Sequence, residues 1–301
     1  MITPTGAQLG DRLWRWLVIT LPYFWLLLFF LAPFAIVFKI SFADPIVAQP
    51  PFTPFFDFAN DSTQWLLATF DNYRFLTEDN LYWVSYLKSI KIAFISTLLC
   101  LLLGFPMAYG IARSSLVWRR VLLMLIILPF WTSFLLRVYA WIGMLGKHGI
   151  VNNLLLSLGV IDKPLQMLYT DAAVYAGIVY TYIPFMILPL YATLEKLDLN
   201  LHEAAADLGA KPFQVFRDVT LPLSMPGIIA GCLLVFIPAL GEYVIPALLG
   251  GIDSLMIGRT LYDEFFVNRD WPLASAVATV LLLILVMPIM LFQRSQQVVE
   301  R

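Results

Sequence analysis

Charged residues are scarce in this chain. Asp, Glu, Lys and Arg make up 13% of its 301 residues, about half the share that is usual in soluble domains. Hydrophobic residues make up 60%, and the mean hydropathy is +0.82. This composition excludes an ordinary soluble domain, and it predicts an all-α integral membrane protein.

Cysteine and histidine are nearly absent, with two residues of each. Cys100 and Cys232 lie inside apolar stretches, where we interpret them as small packing residues. His148 and His202 lie in connecting segments, and neither is placed to act as a general base. The sequence also lacks a Walker A motif and the GxSxG and HExxH signatures. We therefore expect no catalytic residue, no metal and no cofactor, and we expect another chain to bind any ATP that drives the protein.

Long apolar stretches are what the sequence does contain. A helix needs roughly 20 apolar residues to span the hydrocarbon core of a membrane, and about six stretches reach that length. We expect each to form one transmembrane helix. The stretches are Leu17–Phe42, Ile90–Ala112, Val121–Leu145, Ala172–Leu194, Gly227–Leu249 and Leu273–Phe292.

Basic residues cluster on one side of the predicted membrane. They precede the first stretch, fill the turn after the second and recur after the fourth, whereas segment 43–87 carries six acidic residues against Arg74 alone. Because Lys and Arg are enriched in cytoplasmic loops, both termini are predicted to be cytoplasmic. The predicted organisation is a cytoplasmic stub 1–16, a first helix 17–42, an external segment 43–87, a membrane core 88–292 and a cytoplasmic tail 293–301.

The polar segment 195–227 separates the fourth and fifth apolar stretches. Asn200 followed by Glu203 is typical of a capping-box helix start, and Gly209 predicts a helix stop. The helix expected between them, Leu201–Leu208, is short and amphipathic, which favours docking onto a partner. Its apolar stripe is Leu201, Ala204, Ala205 and Leu208, with Glu203 and Asp207 one turn apart beside it.

Prolines follow this helix closely. Pro212 is expected to open a second helical turn. Leu221, Pro222 and Pro226 are expected to end that element before the next apolar stretch begins at Gly227.

Two ionisable residues stand out inside predicted spans, Glu242 in the fifth and Arg137 in the third. Such groups are costly in a membrane and are functional hypotheses by default. Glu242 is interpreted as facing the path of a cationic substrate, and Arg137 as a structural or gating residue. The alternative is an ion pair between helices that only holds the bundle together.

Aromatic and acidic side chains extend this hypothesis. Aromatic faces attract ammonium groups, although the same rings also fill helix bundles and mark membrane interfaces. Acidic residues before the last stretch are candidates for the outer mouth, or are simply solvated. The candidates are Trp131, Tyr139, Tyr182 and Tyr243 among the aromatics, and Asp263, Glu264 and Asp270 among the acids.

Several blocks are similar to one family. The pattern Glu203-Ala204-Ala205, then Gly209, then Leu221-Pro222 resembles the EAA loop of ABC-importer permeases. The blocks LPFWTSFLLRVYAWIG, LVFIPALGEYVIPALLGG and MIGRTLYDEFFVNRDWPLASAVA resemble the inner-membrane permeases of bacterial polyamine importers, closest to the putrescine type. The resemblance covers about Leu21–Phe292.

The resemblance implies a type I ABC-importer fold, in which the EAA helix couples the permease to an ATPase subunit. The coupling residues would be Glu203, Ala204, Ala205, Asp207, Gly209, Leu221 and Pro222. It further implies a second homologous permease chain, two copies of a cytoplasmic ATPase, a periplasmic polyamine-binding protein and a location in the bacterial inner membrane.

Three other functions are compatible with a membrane protein of this size. A permease of the same class for another small solute, such as spermidine, differs only in substrate. An ion-coupled secondary transporter would need coupling-ion residues and usually an internal repeat, and an intramembrane enzyme would need a nucleophile, metal cluster or base. None of these is visible in the sequence.

Overall fold

The computed structural model describes residues 6–53, 69–251 and 254–299. This part of the chain is helical. The helices are α1 (Gly6–Leu26), α2 (Ala32–Ile40), α3 (Asp71–Glu78), α4 (Asn80–Arg113), α5 (Leu116–Ile127), α6 (Phe134–Leu145), α7 (Ile150–Ser157), α8 (Asp171–Leu194), α9 (Asn200–Asp207), α10 (Pro212–Val215), α11 (Leu221–Leu240), α12 (Val244–Leu249), α13 (Ile257–Tyr262) and α14 (Trp271–Val299). Wider π-helical turns occur at Leu27–Leu31, Phe216–Thr220 and Asp263–Val267, and a 3₁₀ turn at Leu128–Trp131.

The chain crosses a membrane several times. Among the described residues, four continuous helical stretches are long and apolar enough to span: Trp16–Ile40, Asn80–Arg113, Asp171–Leu194 and Pro212–Leu240. A bent pair of helices raises this number to five if it is one span, and Trp271–Val286 is a shorter apolar helix. These elements lie where the six apolar stretches were predicted.

The third predicted span is not one helix. Leu116–Trp131 and Phe134–Ser157 meet at an angle of 93°, so the expectation of a continuous helix over Val121–Leu145 is wrong. Pro129 cannot donate a backbone hydrogen bond, and the Thr132 hydroxyl donates to the Pro129 carbonyl oxygen at 2.7 Å. The chain leaves the helix there and restarts at Phe134.

The fifth predicted span begins earlier and ends earlier than expected. Helix Pro212–Leu240 runs through Leu221, Pro222 and Pro226, which were expected to end the preceding element. A π-helical turn at Phe216–Thr220 lies just before these prolines and keeps the helix continuous. The helix then stops at Leu240, and α12 starts separately at Val244.

The described residues form two compact units. One contains Asp79–Tyr262 and the described residues from Ile284 onward. Its core is the packing of α4, α8 and α11 on one another, centred on fully buried Cys100, Met186 and Val235. A Cβ added at Gly231 would lie 2.7 Å from the Met186 Sδ and 3.2 Å from the Met186 carbonyl oxygen, so the absence of a side chain at Gly231 favours the close approach of α8 and α11.

The other unit contains the described residues up to Glu78 together with Asp263–Leu283. Asn72 on α3 donates through Nδ2 to the carbonyl oxygens of Ser41 and Ala43, at 3.0 and 2.8 Å. These bonds fix α3 to the end of α2. Residues 54–68 of the predicted external segment, which include Asp57 and Asp61, lie outside the described residues.

Candidate functional site

Helix α9 (Asn200–Asp207) agrees with the predicted helix Leu201–Leu208 to within one residue at each end. Its end is also confirmed, because Gly209 has a φ of +84°, a left-handed conformation that favours glycine. Its start was wrongly assigned. Leu199 is the N-cap, and the Asp198 carboxylate accepts the Asn200 backbone N–H at 3.0 Å. Asn200 therefore lies inside the first turn and does not cap it.

Most of the predicted apolar stripe of α9 is exposed. Leu208 is 90% exposed and Leu201 46% exposed, and Glu203, Ala204 and Asp207 are also exposed. Ala205 is partly buried. Phe213, which was not among the residues predicted from the sequence, lies on α10 and is 71% exposed. Leu208 and Phe213, on neighbouring short helices, form an exposed apolar surface suited to a partner protein. We call this surface of α9 and α10 the docking surface.

Leu221 and Pro222 are not part of that surface. They open α11, with the Leu221 side chain packed against the core of α4, α8 and α11. Their role in coupling stays a prediction, and their position indicates that they would join the docking helices to the bundle.

Glu242 occupies the interruption between α11 and α12, and it is only 7% exposed. The Tyr182 hydroxyl on α8 donates to one of its carboxylate oxygens. The other oxygen accepts the backbone N–H groups of Val244 at 3.1 Å and Ile245 at 3.4 Å. The carboxylate therefore caps α12, where the positive end of the helix dipole stabilises a negative charge.

The backbone around Glu242 is held closely by α13. A Cβ added at Gly258 would lie 2.4 Å from the Gly241 carbonyl oxygen and 2.7 Å from that of Glu242. Tyr243 stacks on Tyr262 of α13, with ring centroids 4.1 Å apart and planes 15° from parallel. Neither Gly258 nor Tyr262 was a candidate from the sequence, because only the fold brings α13 next to this interruption.

Among the described residues, the ion pairs do not include one between Arg137 and Glu242, and whether the two residues act together stays a prediction. The Arg137 guanidinium lies 5.5 Å from the ring centroid of Phe130 and 5.9 Å from that of Phe134. These rings flank the bend between α5 and α6, and cation–π attraction stabilises that arrangement.

A double variant tests whether the two residues act together. Glu242→Gln and Arg137→Gln are expected to act independently. When the losses of transport are converted to free energies, the loss in the double variant should equal the sum of the two single losses within about 0.5 kcal/mol. Transport by the two single variants and the double variant measures this. Recovery of activity in the double variant would show that the two residues are coupled after all.

The remaining candidates are two aromatic residues in the compact unit that contains Glu242 and three acidic residues in the other unit. Trp131 and Tyr139 are 75% and 55% exposed. Asp263, Glu264 and Asp270 belong to the unit that contains α3. Their contact with a substrate stays a prediction.

The acidic group in that unit has structural roles. Asn268 donates through Nδ2 to Glu264 at 2.8 Å, and the Asp270 carboxylate accepts the Leu273 backbone N–H at 2.9 Å, which caps the start of α14. Burial raises the pKa of Asp270, and the nearby charge of Glu264 adds to this, while the bond from Leu273 opposes it. The observed role of Asp270 is therefore to cap the start of α14.

The comparisons with known proteins agree with a transport subunit of this architecture. Residues 100–298 match the family of binding-protein-dependent transport system inner membrane components, and the chain belongs to that family. It is 39% identical over 285 residues, which is 95% of each chain, to the spermidine/putrescine transport system permease protein PotB of Haemophilus influenzae. It is 42% identical over 236 residues to the PotB of Escherichia coli, covering 78% of this chain and 86% of that one.

Solved structures show the same fold. A bacterial ABC transporter involved in alginate import has a chain that aligns with a TM-score of 0.67 and 18% identity, covering 94% of this chain and 96% of that chain. A chain of the MetNI methionine ABC transporter aligns with a TM-score of 0.52 and 17% identity, over 72% and 95%. The fold is that of ABC-importer permeases, and the family is one of transport components.

Proposed function

We propose that this chain is a transmembrane subunit of an ATP-driven importer that moves polyamines, putrescine first among them, from a periplasmic binding protein into the cytoplasm. The observation that carries the proposal is the similarity to spermidine/putrescine permeases over 95% of the chain. Spermidine is the alternative substrate, since the same relatives carry both names.

The buried carboxylate supports a cationic substrate. Glu242 lies at a helix interruption and is held by an uncharged tyrosine and two backbone N–H groups, with no ion pair to Arg137 within the described residues. Its negative charge is therefore not neutralised by that arginine. A diammonium ligand passing this point would be attracted to it.

The exposed helices α9 and α10 support an ATPase partner. Leu208 and Phe213 would fill a cleft of the ATPase, with Glu203 and Asp207 at its edge. The proposed complex contains this chain, a second homologous permease, two copies of the ATPase and the binding protein. Both termini and α9 would lie on the cytoplasmic side.

Purification in detergent from cells expressing all subunits tests the assembly. We expect the second permease and the ATPase to co-purify with this chain. Labelled putrescine uptake with unlabelled spermidine as competitor then identifies the preferred substrate. Purification of this chain alone, with full transport activity and no ATPase, would contradict the proposal.

Glu203→Lys is expected to lower ATP-driven uptake about tenfold, corresponding to about 1.4 kcal/mol of lost coupling. The exposed carboxylate of Glu203 would face the ATPase. Reversing its charge would replace an attraction between Glu203 and the ATPase surface by a repulsion. Uptake in membranes with equal amounts of the complex measures this.

The matched control is Glu78→Lys. Glu78 is also exposed and forms an i,i+4 ion pair with Arg74, a contact that contributes little to stability. Because it lies outside the docking surface, uptake should stay close to wild type. Equal losses in the two variants would indicate a general effect of charge and argue against docking through α9.

A further inference from the structure

The side chain of His202 ties the docking helix to two other elements. Its Nδ1 lies 3.3 Å from Nη2 of Arg113 at the end of α4. Its Nε2 lies 3.0 Å from the hydroxyl of Thr220, at the end of the π-helical turn that precedes α11. Thr220 is buried, with 2% of its surface exposed. His202 is partly buried, as is Ala205 on the same helix, whereas Leu201, Glu203 and Leu208 are exposed.

These contacts define the state of the ring. An arginine only donates hydrogen bonds, so Nδ1 of His202 must accept from Arg113. The ring hydrogen then lies on Nε2 and is donated to the Thr220 hydroxyl oxygen. The contacts require a neutral imidazole, since a protonated ring has no acceptor left for Arg113.

We propose that neutral His202 is a positioning residue that transmits movement of the docking helix α9 to α4 and α11. This rests on the proposed function, in which α9 binds the ATPase. The link to α4 runs through Arg113, and the link to α11 through Thr220, so one side chain connects the docking surface to two helices of the packed core. A protonated His202 loses the first link and uncouples ATP hydrolysis from transport.

The charges around the ring favour the neutral form. Burial lowers the pKa of His202, and the positive charge of Arg113 lowers it further. Arg217 and Asp218, on the adjacent π-helical turn, pair with each other. Further charged groups on neighbouring segments are Glu203 and Asp207 on α9 itself and Lys211 just before α10, and α4 also carries Lys88 and Lys91 far from its Arg113 end.

Coupling through His202 is expected to weaken at acid pH. Because the pKa in the folded protein is below the ordinary value near 6.5, the neutral, coupled form predominates at and above neutral pH. It is lost as the pH falls below 6.5 and through the lowered pKa. Acidification on the ATPase side should therefore reduce the ratio of substrate transported to ATP hydrolysed.

The test compares His202→Gln with His202→Leu in the complete complex in proteoliposomes. Glutamine can accept from Arg113 and donate to Thr220 without titrating, whereas leucine can do neither. The readouts are uptake of labelled putrescine or spermidine and ATP hydrolysis, each measured from pH 5.5 to 8, a range of about one unit below to 1.5 units above the ordinary histidine pKa.

We expect His202→Gln to keep the ratio of uptake to hydrolysis and to lose its acid-side decline. His202→Leu should lower the ratio of uptake to hydrolysis about tenfold at every pH. A normal ratio in His202→Leu, or an unchanged acid-side decline in His202→Gln, would overturn the proposal.

If His202→Leu does not assemble, Thr220→Val decides, because it removes one partner of the ring and nearly preserves side-chain volume. A lowered ratio in Thr220→Val supports the link, and a normal ratio overturns it. The wild-type complex separates this inference from the proposed function: absence of polyamine uptake in the wild type refutes the function, whereas normal uptake in all variants refutes only the role of His202.

Discussion

Gly209→Asp is expected to lower ATP-driven uptake about tenfold or more while the complex still assembles. Gly209 ends α9 with a φ of +84°, and residues with a side chain adopt that conformation at a cost of about 1–2 kcal/mol. A Cβ there would meet no atom within 4 Å, so the cost comes from the backbone and from the new charge beside the docking surface. Uptake and ATP hydrolysis by equal amounts of purified complex measure the loss of coupling.

The chain offers a matched control in Gly159→Asp. Gly159 has a φ of +66°, and a Cβ there also meets no atom within 4 Å. It follows α7, which packs on α6, and belongs to neither α9 nor α10, so it carries the same kind of backbone strain at another place. We expect Gly159→Asp to transport normally. Full uptake by Gly209→Asp, or the same loss in both variants, would contradict a coupling role for the α9–α10 turn.

Glu242→Gln is expected to reduce uptake about tenfold and to leave assembly intact. Glutamine can preserve the local geometry: its oxygen can accept from Val244 and Ile245, and its amide can donate to the Tyr182 hydroxyl. The substitution therefore removes the charge and little else. Since two unit charges 4 Å apart attract by about 4 kcal/mol at an effective dielectric constant of 20, losing even a third of this attraction costs about a decade in rate.

Tyr182→Phe is the control for the hydrogen bond. It keeps the carboxylate charge and deletes the donor from α8. A smaller loss of uptake than in Glu242→Gln would show that the charge matters more than the bond. Equal losses, or loss of assembly in Glu242→Gln, would show instead that Glu242 acts by holding α8 and α12 together.

Much of the fold was predictable because membrane helices are long and apolar. Helix α8 was predicted as Ala172–Leu194 and is Asp171–Leu194, since a polar residue marks its start. The bend between α5 and α6 was not predicted. Hydropathy is continuous across Pro129, Thr132 and Ser133, and only the local hydrogen bonds end the helix there.

The start of α11 was misplaced for a related reason. Pro222 and Pro226 were interpreted as a helix end, although Pro222 falls in the first turn of α11, where proline is compatible with a helix, and Pro226 lies inside α11, as prolines in membrane helices can. The π-helical turn at Phe216–Thr220 has no simple sequence pattern, so the continuity of Pro212–Leu240 could be found only in the structure.

The candidate site was predictable in part. A carboxyl group inside an apolar stretch made Glu242 conspicuous, and the Gly209 conformation follows from its place after a short helix. The partners of these residues were not predictable, because Tyr182 is 60 residues from Glu242 and His202 is 89 residues from Arg113. Such contacts depend on how α4, α8 and α11 pack.

Uptake by the complete complex in proteoliposomes, with labelled putrescine as substrate, tests the central claim most directly. We predict uptake that requires both ATP and the binding protein. Unlabelled putrescine and spermidine should compete, whereas 1,4-butanediol, which matches the length of putrescine without its charges, should not. Uptake that proceeds without ATP, or that the uncharged diol inhibits as well as the diamines do, would contradict an ATP-driven polyamine permease.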